Sequence, residues 1–162
     1  MAKEEIGFDQ FLADVDPAYQ NFIGGLHQYL IDNGCKAKVE LKKSGNFVAY
    51  THGKSKRSVA NLLFRKKGLI ARIYGEKAGR YLAFMDTLPD EMFFAIQKAP
   101  VCKRLINPEN CNPKCSMGYD FVTRGAHFQK CKNNCFMFDV NEGNNPYIQA
   151  FLENEIRERA AQ

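Results

Sequence analysis

Apolar residues at the start of the chain recur at helical spacing. Ile6, Phe8, Phe11 and Leu12 predict a short first helix ending near Val15. Phe22, Ile23, Leu26 and Leu30 then lay one stripe along a second helix. Asp16 supplies a capping oxygen, Pro17 fits the first helical position where no donor is needed, and Gly34 suits the exit. Gly24 and Gly25 inside this helix lower its intrinsic helicity by about 1 kcal/mol each relative to Ala, which points to a close crossing by a neighbouring element.

After Gly34 the period changes to two. Ala37, Val39 and Leu41 fall on one side of a strand, and Lys36, Lys38, Glu40 and Lys42 on the other, a strand with one wet face. Three more strands follow, at Phe47 to Thr51, Val59 to Phe64 and Leu69 to Tyr74. Their connections are too short for parallel crossovers, so 35–75 reads as a four-stranded antiparallel meander. Two short helices are expected next, over 77–86 and 89–99, the second with Asp90 and Glu91 in a first turn whose dipole favours acids. Tyr119 to Val122 and His127 to Cys131 predict a hairpin turning through Thr123, Arg124 and Gly125. Asn145 caps a closing helix over 145–162 that Pro146 begins, with Ile148, Phe151, Leu152 and Ile156 on one face. The expected class is α+β in a single domain: N-terminal helices over 1–34, the four-stranded antiparallel sheet packed by helices, further helices over 76–100, a small cysteine-rich lobe over 101–140, and the closing helix.

With 162 residues, 45% hydrophobic and 25% charged, the chain can bury a core without covalent staples. Its longest apolar run near the middle, Met92 to Ile96, is far too short to span a bilayer, and the first residues have no leader-like run. A cytosolic protein with no membrane partner is expected. Charge refines the picture through its distribution. The net charge is +5, yet residues 34–82 hold thirteen Lys or Arg against Glu40 and Glu76, while residues 1–33 hold Lys3 against six acids. A basic middle with acidic flanks predicts either an anionic partner or neutralisation by the chain's own acidic helices. Lys54, Lys56 and Arg57 in one loop and Arg65, Lys66 and Lys67 in one turn are the candidate anion-binding residues, joined by the outward Lys36, Lys38 and Lys42. Tyr50 and Tyr74 on the strands could stack exposed bases of a nucleic acid.

Five of the six cysteines lie between 102 and 135. Cys111 and Cys115 form C-x3-C, Cys131 and Cys135 another, and fifteen residues separate the pairs, within the loose spacing of a four-thiolate zinc site. Cys102 is a fifth donor and His127 a substitute, though at most four bind at once. A site closed by four thiolates has no place for water, so the zinc would be scaffolding. Packed free thiols are the simpler alternative, and Cys35 reads as structural. Only three histidines are present, with no phosphate loop and no nucleophile elbow.

The expected function is therefore a zinc-clasped binding module whose basic sheet meets nucleic acid or another anionic ligand, without a catalytic residue. A thiol-based redox protein cycling its Cys pairs is the alternative, and an enzyme acting on a small anionic ligand in a pocket between sheet and helices the third.

Overall fold

The change of period at Gly34 is a change of element in the computed structural model, which describes residues 7–43, 45–107, 109 and 118–161. Helices α1 (Phe8–Ala13) and α2 (Pro17–Asp32) come first, and the Asp16 side chain accepts from the Ala18 amide at 2.9 Å as an N-cap should. Gly34, at φ +86°, then turns the chain into β1 (Cys35–Lys42). β2 (Gly45–His52), β3 (Ser58–Arg65) and β4 (Gly68–Ile73) complete the expected antiparallel meander. Gly53 is required where the β2–β3 loop leaves the sheet: a Cβ there would lie 2.5 Å from the Gly34 carbonyl oxygen.

The sheet has five strands, one more than its sequence pattern indicates. Met137–Asp139, β7, pairs antiparallel with β4 at the edge opposite β1, in the order β1-β2-β3-β4-β7. A three-residue strand is too short to display a period, so only the pairing reveals it. Between β4 and β7 the chain builds a 3-10 turn (Ala78–Arg80), α3 (Leu82–Met85), α4 (Asp90–Lys98), α5 (Lys103–Ile106) and the hairpin of β5 (Tyr119–Thr123) and β6 (Ala126–Lys130). The single helix expected over 77–86 is thus a 3-10 turn and one α-turn, and α5 had no signal. The closing helix, α6 (Asn145–Ala160), starts with Pro146 in its first turn, but Asn144 holds the cap position.

One apolar cluster joins α1, α2, α4, α6 and the hairpin to a single face of the sheet. From the strands it takes Val48, Tyr50, Ala60, Leu62, Ala71, Ile73 and Phe138. Phe151 of α6 meets Phe136 at a ring separation of 5.0 Å and Phe138 at 6.0 Å, which seats the closing helix on the sheet. Gly24 and Gly25 serve no tight crossing. A Cβ on Gly24 would meet only Leu12, at 3.9 Å, and one on Gly25 nothing within 4 Å.

Candidate nucleic-acid interface and cysteine lobe

Because side chains alternate along a strand, the face opposite the core is defined by register. Lys36, Lys38, Glu40 and Lys42 of β1 stand beside Phe47, Ala49 and Thr51 of β2, then Asn61, Leu63 and Arg65 of β3, Ile70 and Arg72 of β4, and Met137 and Asp139 of β7. Phe47, Leu63, Ile70 and Met137 all lie outside the core cluster. Phe47, Ala49, Thr51, Ile70, Arg72 and Met137 are half-buried and Lys36, Lys38, Lys42 and Arg65 exposed, whereas Val48, Tyr50, Leu62, Ala71 and Ile73 on the other face are buried. One face is dry; on the other, Asn61 and Leu63 of β3 are buried and the residues around them are half-buried or exposed.

Five bases and two acids point from this open face, Lys36, Lys38, Lys42, Arg65 and Arg72 against Glu40 and Asp139. Glu40 pairs with Lys38 at 3.1 Å and Lys42 at 3.0 Å, and hydrogen bonds from both ammonium groups hold its carboxyl down to about 2. Lys42 also lies over the Phe47 ring, 5.4 Å from its centroid. At the end of β4, Arg72 and Tyr74 meet Asn61 of β3. With the Asn61 amide oriented to satisfy both its ends, its oxygen accepts from Tyr74 Oη and Arg72 Nη1, each at 3.2 Å, and its nitrogen donates to the Ala60 carbonyl at 2.9 Å. Arg72 Nε is buried without a partner, and no carboxylate among the described residues pairs with its guanidinium.

The two candidate anion-binding sets are not neighbours. Lys54, Lys56 and Arg57 sit in the loop before β3, and Arg65, Lys66 and Lys67 at its far end, about 23 Å away along an eight-residue strand. They bracket the open face rather than merge. Lys54, Lys56, Lys66 and Lys67 are exposed, but Arg57 is tied to Glu76 at 2.8 Å. The two tyrosines separate as well: Tyr74 is half-buried on the open face, while Tyr50 is core, with its hydroxyl 2.8 Å from His27 Nδ1. His27 of α2 is stacked on Phe8, with ring centroids 3.6 Å apart. Neutralisation by the acidic N-terminal helices does not occur among the described residues. Asp14 accepts from Asn46 and Asp16 caps α2, and the bases of the sheet pair only with Glu40 and Glu76.

Around the cysteines, residues 100–102 pair alongside the end of β6. The Cys102 amide donates to the Gln129 carbonyl and the Cys131 amide to the Pro100 carbonyl, both at 2.9 Å. A further turn brings the Cys135 amide to the Cys131 carbonyl at 2.9 Å. Gly118 packs so closely that a Cβ would lie 2.9 Å from Cys102 Sγ and 2.2 Å from the Lys130 carbonyl oxygen. Cys102 and Cys135 are buried and Cys131 half-buried, all as free thiols, while Cys111 and Cys115 lie outside the described residues. Among the described residues no three His, Cys, Asp or Glu side chains are grouped to hold a metal. Burial pushes the Cys135 thiol well above its ordinary range, and the nearby Lys130 partly opposes that. Lys130 is itself buried, donating to the Gln97 and Ala99 carbonyls at 2.9 and 2.8 Å. His127 points elsewhere, to Asp120 at 2.6 Å on the exposed side of the hairpin.

A buried ionic network that no local motif announces joins α6 to the sheet. Glu155, wholly buried, accepts from Tyr81 Oη at 2.5 Å, from the Lys77 amide at 3.0 Å and from Arg159 Nε at 2.6 Å. Arg159 also donates to the Ser58 and Tyr74 carbonyls at 2.9 Å, at the end of the sheet where Arg57, Lys132 and Glu76 form ion pairs. Every one of these contacts is internal, so the network holds structure together. A surface cleft of about 580 Å³ between helices and sheet is lined by Asp14, Asp16 and Asp139 against Lys67, a charge balance that repels a small anion. No helix among the described residues is long and apolar enough to cross a membrane.

The fold and site together define a small α+β protein with a five-stranded antiparallel sheet covered by helices on one face and basic on the other. No protein-family model, curated protein or solved structure matches the chain.

Proposed function

We propose that this protein is a binding module for nucleic acid or a related polyanion, with the accessible face of the sheet as its contact surface and a zinc-clasped cysteine lobe as scaffold. The observation that carries the reading is Arg72, a half-buried guanidinium near the end of β4 on that face, with no carboxylate partner among the described residues and four other bases to two acids on the same face. A desolvated cation without a counter-ion is costly, and an anionic ligand supplies the missing charge. Exposed lysines at both ends of β3 extend the field to phosphates beyond the sheet, where binding gains from counterion release.

Cys102, Cys111, Cys115, Cys131 and Cys135 are the donors from which a zinc would draw four. The buried Lys130 ammonium beside Cys135 suits thiolates, since it offsets part of the negative charge that a four-thiolate site carries. Bound there, zinc would crosslink the lobe and stabilise it.

The test is affinity for labelled oligonucleotides and for heparin as salt is raised. Binding should weaken by orders of magnitude between about 50 and 200 mM. Replacing Lys36, Arg65 and Lys66 together by Glu should abolish it without shifting the melting temperature, because none of the three has an ion-pair partner among the described residues. Binding that survives this reversal removes the sheet from consideration.

A further inference from the structure

We infer that the open sheet face selects single-stranded over duplex nucleic acid, by stacking unpaired bases on Phe47 and Tyr74 around Arg72; the inference rests on the polyanion reading and narrows it. The face is not merely basic. Half-buried Phe47, Ile70 and Met137, with the buried Leu63 between the first two, form a stripe across four strands outside the core cluster, with polar groups placed at intervals. Phosphate recognition alone has no use for such a stripe, because a duplex offers its backbone outward and keeps its bases stacked inside. Unpaired bases expose apolar faces and polar edges together, which is the mixture this surface presents.

Phe47 and Tyr74 lie on a diagonal about 16 Å apart, two strands across and four residues along. Between them stands the cluster of Asn61, Arg72 and Tyr74. The Asn61 oxygen is used twice within the cluster, and Arg72 Nη2 has only a 3.9 Å contact to Met137 Sδ. The guanidinium thus retains donors for a base edge or a phosphate, while the Asn61 oxygen accepts from its Nη1. Lys42, already seated over the Phe47 ring, places a cation beside the first stacking position. A second copy of the chain is a poor occupant, since it would bring the same excess of bases against this one.

The experiment measures fluorescence anisotropy of a labelled single strand of about 12 nucleotides, its annealed duplex, and unlabelled heparin as competitor. The single strand should bind at least about tenfold more tightly than the duplex. Phe47→Ala and Tyr74→Ala should each weaken single-strand binding by about tenfold, the scale of one lost base stack, and leave the inhibition constant of heparin unchanged. Phe47→Leu keeps the apolar bulk while removing the ring, so its loss of affinity at an unaltered melting temperature separates stacking from folding. Tyr74→Phe, which retains the ring, should bind like the parent. Equal affinity for strand, duplex and heparin, or full binding by Phe47→Leu and Tyr74→Ala, overturns the single-strand inference and leaves the polyanion reading standing. Failure to bind any of the three overturns both.

Discussion

Glu155 and Arg159 are four residues apart on α6, a spacing that on an exposed helix is worth a few tenths of a kcal/mol. Here both are buried, and the carboxylate is the counter-ion for a guanidinium that also ties down two backbone carbonyls. Removing Glu155 would leave the buried guanidinium with Glu76 Oε2, at 3.9 Å, as its remaining counter-ion. Glu155→Ala should therefore cost about 3–5 kcal/mol in urea unfolding, far more than its helical position implies. The histidines make a second prediction at this scale. Burial lowers the pKa of His27 and of His52 below the ordinary imidazole value. The unfolded chain then binds more protons than the native one as pH falls through about 6.5, so stability should be full above that pH and decline below it. Denaturant midpoints between about pH 5 and 7.5 would show the loss, and His27→Gln should flatten part of it. A midpoint independent of pH would contradict the buried, neutral imidazoles.

The element with the most to gain is α2. Gly25 sits in its interior with open space where a side chain would go, and its φ is ordinary. Gly25→Ala should therefore stabilise the protein by about 0.4–1 kcal/mol, read as a higher denaturant midpoint. A destabilised variant would mean that something does pack there. The strands carry a different lesson. Alternation in β1 was enough to separate Lys36, Lys38 and Lys42 from Val39, yet β3 reads Val-Ala-Asn-Leu-Leu-Phe, apolar on both sides. Only the register of its neighbours assigns Leu62 to the core and Leu63 to the open face. Tyr50 and Tyr74 were equivalent candidates for the same reason, until pairing put them on opposite sides.

For the molecule as a whole, the separation of charge is physical as well as sequential. The acidic N-terminal helices cover one face of the sheet, and the bases project from the other. Zinc is the remaining question at this scale. Protein purified without added metal should contain about one zinc per chain, and a strong chelator should lower the melting temperature and expose titratable thiols. Metal-free protein whose Cys131 and Cys135 cycle reversibly with oxidant would instead favour the redox reading. Cys35 should stay unreactive in the native state in either case, because burial raises its pKa.

Periodicity by itself determined that this chain begins with two helices, continues as an antiparallel meander, and closes on a helix, because each of those segments is long enough to repeat its pattern. It also marked the basic middle and the clustered thiols, which are matters of composition. Tertiary structure alone decided the fifth strand, the exposed side of the sheet, the distance between the two basic loops, and the partners of Glu155. Each of these depends on residues far apart in the chain meeting across a register or a helix-sheet contact. A local pattern carries the period of an element and has no record of what that element will face.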